Sequence, residues 1–92
     1  MENIEYEAVL ILKPDLSDEN KSRIKETLIS LIDTAGKVIK FEDLGIKKLA
    51  YAIKGNNTGC YIVISFNCKE VKKIERKFRT LEEIMKFIVV KQ

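Results

Sequence analysis

Lys47 and Lys48 stand side by side, and Tyr51 follows three residues later. Lysine carries a point charge on a flexible stem that neutralises phosphate, and tyrosine offers a flat face and a hydroxyl to a base or a sugar. That set suits gripping a polyanion better than turning over a substrate. Paired lysines on a strand or loop also serve as plain solvated surface, so the rest of the chain must decide between the two readings. The chemistry available elsewhere is thin. The 92 residues contain no histidine, which removes the usual general base and leaves a serine or cysteine nucleophile without its second member. Cys60 and Cys68 lie in or beside apolar runs and read as reduced, structural thiols. Two cysteines with no histidine and no C-x-x-C spacing fall short of the four ligands a structural metal site wants. Neither a metal nor any other cofactor is expected.

The elements that must position these residues fit within one domain, residues 1–92, large enough for a single modest core. Apolar residues make up 46% of the chain and charged ones 34%, with one proline and four glycines, a composition that argues against disorder. Residues 1–7 carry three glutamates where a secretory signal would place lysines and then a long apolar run. The longest apolar stretch, residues 8–12, is too short to span a bilayer. A cytosolic protein is therefore expected. The net charge of +3 is mild but lopsided: residues 1–44 hold six basic and ten acidic side chains, and residues 45–92 hold eleven basic and four acidic. Such asymmetry points to an anionic partner.

Along residues 5–12, Tyr6, Ala8, Leu10 and Leu12 share one face and Val9 and Ile11 the other, which predicts a central strand. Pro14 stops it, Ser17 is the expected N-cap, and Asp18 and Glu19 complement the positive end of the helix that follows. Together with Asp15, these carboxylates suit cap and dipole roles better than a metal cluster. Ile24, Leu28, Leu31, Ile32 and Ala35 form one buried stripe, and Gly36 is expected to end the helix at positive φ. A second strand over residues 37–43, at or near an edge, precedes a break at Gly45. Extended structure resumes through Leu49, Tyr51 and Ile53, residues 55–59 read as a turn, and residues 60–66 complete a long hairpin. A helix over residues 69–79 has Val71, Ile74 and Phe78 inward and a basic stripe of Lys69, Lys72, Lys73 and Arg76 outward. A last strand spans residues 84–91.

The order β-α-β-β-α-β is the α+β, ferredoxin-like arrangement: a four-stranded antiparallel sheet with two helices on one face. Many functions use it. An RNA-recognition motif would need an aromatic platform on the third strand, but Tyr61 and Phe66 are an odd number of residues apart and face opposite sides. A small phosphatase would need a cradle of backbone amides after the first strand, where this chain has Lys13-Pro14-Asp15. A small-molecule-binding regulatory domain is harder to exclude, although such domains favour glycine at that turn.

Gly45-Ile46-Lys47-Lys48-Leu49-Ala50-Tyr51-Ala52-Ile53 resembles the signature of the bacterial ribosomal protein S-six (S6) family of the small subunit. The likeness extends to Tyr6-Glu7, Lys13-Pro14-Asp15-Leu16, Glu42-Asp43 and Phe87-Ile88-Val89-Val90-Lys91. The resemblance implies a structural ribosomal protein, not an enzyme, that binds small-subunit ribosomal RNA together with a small basic partner, ribosomal protein S-eighteen, and helps build the platform. On the matching positions Lys47 and Lys48 take the basic pair, with Arg79, Lys86 and Lys91 as further phosphate contacts. Leu49, Ala50 and Tyr51 would meet the partner protein. One departure is Ala52, where many members have proline; alanine restores an amide donor, so local geometry can differ there.

Overall fold

The first strand, β1 (Ile4–Leu12), has Ala8, Leu10 and Leu12 fully buried and Val9 and Ile11 half-buried on its other face. It lies in the sheet between two neighbouring strands, as apolar residues on both faces predict. The structure, a computed structural model, describes residues 3–92. Ser17 caps α1 (Asp18–Asp33), its hydroxyl accepting from the Asn20 amide at 3.2 Å, and Asp18 and Glu19 fill the first turn. The long hairpin of β2 (Gly36–Ile53) and β3 (Asn56–Cys68) follows, then α2 (Val71–Arg79) and β4 (Ile84–Lys91). All strand pairings are antiparallel in the sheet order β2-β3-β1-β4, so the ferredoxin-like architecture holds.

Both helices bury their apolar stripes against one face of the sheet. Ile24, Leu28 and Ile32 from α1 and Ile74 and Phe78 from α2 join Leu10, Ile62, Ile64 and Phe66 in a single core. The Phe78 ring meets Phe87 of β4 edge-on at 5.4 Å between centroids, which fixes α2 over the sheet.

Four local expectations need correction. Gly36 does not end α1 at positive φ: Thr34 closes the helix in the right-handed region and Gly36 opens β2. A side chain there would sit 2.7 Å from the Cys68 Cβ and against the Asn67 carbonyl, so glycine serves close strand approach. Gly45 is not a break but a bulge within one continuous β2, at φ +79° with its amide donating to the Asp43 carboxylate at 2.8 Å. The hairpin turn is tighter than residues 55–59: Lys54 and Gly55, both at positive φ, make it, and Asn56 already belongs to β3. Finally, α2 starts at Val71 rather than residue 69, and Glu70 at its N-cap makes no side-chain capping bond.

Candidate nucleic-acid interface

Among the described residues no element covers the face of the sheet away from the helices, and the hairpin brings candidate residues to it. Lys47 pairs with Gly59 and Lys48 with Thr58, and neighbours on a strand point to opposite faces. The odd-numbered residues of β3 share the side of Ile11, which pairs with Tyr61. Lys47 therefore lies on the open face and Lys48 on the side of the helices. Both are exposed, and among the described residues no carboxylate comes within 4.0 Å of either ammonium. The two charges are free to meet an external anion, but from opposite sides of the strand.

After Lys48 the ladder slips, and pairing resumes only at Ile53 with Asn56. Residues 49–52, Ala52 among them, bulge and curl over the open face. Leu49 turns inward and is only 8% exposed, so it anchors the bulge and offers little surface to a partner. Ala50 is exposed and Tyr51 is 84% exposed. Beneath them lies an apolar cavity of about 280 Å³ with Val9, Ile11 and Tyr61 as its floor and Leu49 and Tyr51 as its wall. Lys86 and Ile88 of β4 close the far side. Lys86 pairs with Ile11 across β1 and so shares the open face with Lys47.

The other candidate cations lie elsewhere. Lys91 pairs with Tyr6, whose side faces the helices, and sits five residues along β4 from Lys86, roughly 17 Å away. Arg79 ends α2, 4.0 Å from the Glu75 carboxylate and over the Phe87 ring at 5.8 Å. The structure thus places Lys86 on the rim of the cavity and Lys47 on the same open face three strands away, roughly 15 Å across the sheet, while Lys48, Arg79 and Lys91 lie off that face.

Sequence reasoning missed the apolar half of this surface. Ile88 and Val90 are 54% and 51% exposed on the open side of β4, an edge strand. The signal was present in Val9 and Ile11: a strand apolar on both faces in a chain with two helices on one side leaves the second face uncovered.

Nothing in this region is built for bond-making. Burial pushes both thiols up, Cys60 further by the Asp43 carboxylate whose oxygen lies 3.7 Å from its sulfur, so neither forms a ready nucleophile. Among the described residues, no group of three or more histidine, cysteine or acidic side chains is placed to hold a metal. Phe66 is fully buried in the core and Tyr61 faces the cavity, so the two aromatic rings form no shared stacking platform.

Comparison with known proteins bears on the family and the fold. The family model described as Ribosomal protein S6 matches residues 5–91. The small ribosomal subunit protein bS6 of Koribacter versatilis is 36% identical over 89 residues, covering 94% of this chain and 60% of its own length. That of Helicobacter hepaticus is 39% identical, covering 94% of this chain and 65% of its own length. The shorter bS6 of Thermoanaerobacter pseudethanolicus is 30% identical, and the match covers 94% of both chains. This chain therefore spans about three fifths of the length of some relatives and nearly all of others. The crystal structure of 30S ribosomal protein S6 from Thermotoga maritima superposes with a TM-score of 0.91 at 29% identity, covering 99% of this chain and 89% of that one.

Proposed function

This chain belongs to the ribosomal protein S6 family, and from that premise we propose that it acts as a single-domain, non-catalytic constituent of the small ribosomal subunit in the cytoplasm. There it binds small-subunit ribosomal RNA jointly with ribosomal protein S-eighteen and helps assemble the platform. The observation that carries this reading is the open face, where an apolar cavity has Lys86 on its rim and Lys47 lies on the same face, neither with a carboxylate within 4.0 Å among the described residues. Apolar surface suits a protein partner, and the cations suit phosphate. Tyr51 and Ala50 at the wall, with Ile88 and Val90 along the β4 edge, form the protein-facing part. Lys47 and Lys86 hold RNA beside it, and Lys48, Arg79 and Lys91 reach phosphates that pass the hairpin and the β4 edge.

A formal charge of +3 gives modest RNA affinity alone. A basic partner on the apolar face supplies the missing charge, because a joint surface neutralises more phosphates than either protein does. The expected result of a filter-binding titration is weak RNA binding by the chain alone and tight binding with S-eighteen; equal affinity in both would refute the joint mechanism. Replacing Lys47 and Lys86 with glutamine lowers the log–log salt slope of RNA binding by roughly 1–2 units.

The alternative, a regulatory domain that binds a metabolite in the same cavity, fits less well. The cavity is smaller than the roughly 300–1,000 Å³ typical of such sites and has few convergent polar groups. A thermal-shift screen with amino acids and nucleotides separates the two readings, since only a metabolite sensor would respond.

A further inference from the structure

Helix α2 and its approach, residues 69–79, hold six cations against two carboxylates, a net +4 that exceeds the +3 of the whole chain. The remainder of the molecule is thus close to neutral, and its excess positive charge sits on one helix on the side of the sheet away from the cavity. Internal pairing leaves much of that charge unspent. Glu70 holds Lys73 at 3.3 Å and Glu75 meets Arg79 at 4.0 Å, which occupies both carboxylates. Lys77 donates to the Thr34 hydroxyl at 3.1 Å. Among the described residues, Lys69, Lys72 and Arg76 have no carboxylate within 4.0 Å.

The start of the stripe also works against the helix. Lys72 and Lys73 stand in the first turn, beside the positive end of the dipole, where no acidic residue is present. Lys72 and Arg76 are like charges four apart on the helix, a spacing that repels. Folding gains from Arg76 in the last turn and from the Lys73–Glu70 pair but not from Lys72 in the first, and an external row of negative charge would relieve the repulsion that remains. The four cations lie within residues 69–76, roughly 10 Å along the axis, a length that reaches more than one phosphate of a strand.

We propose that the outer face of α2, through Lys69, Lys72, Lys73 and Arg76, is a second RNA-phosphate contact, on the opposite side of the sheet from Lys47 and Lys86, so that one molecule bridges two RNA segments. This goes beyond the joint binding proposed above and rests on it for the first contact. RNA is favoured over a protein because none of the large exposed apolar side chains lies on α2, and protein interfaces depend on apolar or aromatic anchors whereas backbone phosphate contacts do not. A membrane is disfavoured because the apolar face of α2, Ile74 and Phe78, is sealed in the core.

The test compares the unsubstituted chain, the variant K69Q/K72Q/K73Q/R76Q and the variant K47Q/K86Q, each bound to small-subunit ribosomal RNA with S-eighteen present. Three readouts apply: the salt slope, hydroxyl-radical protection of the RNA, and the thermal midpoint of the free protein. The bridge requires the α2 variant to lose about 2–3 units of slope, to lose protection at nucleotides separate from those lost in K47Q/K86Q, and to melt no lower than the parent. An unchanged slope, loss at the same nucleotides, or a lowered midpoint overturns it; so does an intact slope with weakened S-eighteen binding, which would make the stripe a protein contact. Failure of the unsubstituted chain to bind RNA refutes the proposed function itself, whereas normal binding with an unchanged α2 slope refutes only the bridge.

Discussion

The two helices lie on the same face of the same sheet, and their inward sides are alike, yet their outward sides follow opposite rules. Every cation of α1 has a partner: Lys21 meets Asp43 at 3.4 Å, Arg23 meets Glu19 at 3.7 Å, and Lys25 lies 5.1 Å over the Phe41 ring. Its start is capped by Ser17 and seeded with Asp18 and Glu19. In α2 the cap bond is missing and cations occupy the first turn, and among the described residues Lys72 and Arg76, with Lys69 just before the helix, have no carboxylate within 4.0 Å. Stability explains the first arrangement completely. In the second, the cations of the last turn suit the dipole but those of the first oppose it, and a local rule broken without structural gain marks a surface kept for something outside the chain.

The contrast predicts equality inside and divergence outside. Phe78→Ala in α2 should cost about 3–5 kcal/mol and Leu28→Ala in α1 about 2–5 kcal/mol, because both residues are fully buried. Urea denaturation checks this, and a cheap Phe78→Ala would mean that α2 is loosely held and its charge pattern uninformative. Ser17→Ala should cost about 1 kcal/mol, the worth of a lost N-cap. Lys72→Glu should run the other way and stabilise by about 0.5–1 kcal/mol, since it places an acid in the first turn and four residues before Arg76. A destabilised Lys72→Glu protein would erase the distinction between the helices.

The smallest effect concerns the α1 partner Asp43. Partial burial opposes its charge, but the Gly45 amide and the Lys21 ammonium outweigh that and hold its carboxyl below the usual carboxylate range. A depressed folded value stabilises the fold above the unfolded pKa of about 3.9 and loses that contribution as pH falls through the folded value. The side chain is 44% exposed, so solvent screening keeps the effect small. Stability of Asp43→Asn should therefore change less than the parent's as pH drops below about 4, as followed by thermal melts across that range.

Much of this protein was legible from local pattern. The spacing of Ile24, Leu28 and Ile32 identified α1, Ser17 was recognisable as its cap, and the span of β4 was correct to the residue. The family was readable from Gly45-Ile46-Lys47-Lys48-Leu49-Ala50-Tyr51 and the segments around it. Strand β2 resisted because its pairing with β3 slips three times, after Val38, after Asp43 and after Lys48. Each slip changes which face the next residue takes, so alternation cannot be counted through it. That is why the pattern did not show that Leu49 lines the cavity at only 8% exposure, or which of Lys47 and Lys48 takes the open face.

What the amino-acid order decided by itself was the kind of each element, the apolar stripes that pack together and the family, since these depend on neighbours within a few positions. Only tertiary structure decided which cations share a surface and which find a carboxylate. Both are set by register and packing between segments distant along the chain, such as Lys86 across β1 from the hairpin or Asp43 against Lys21.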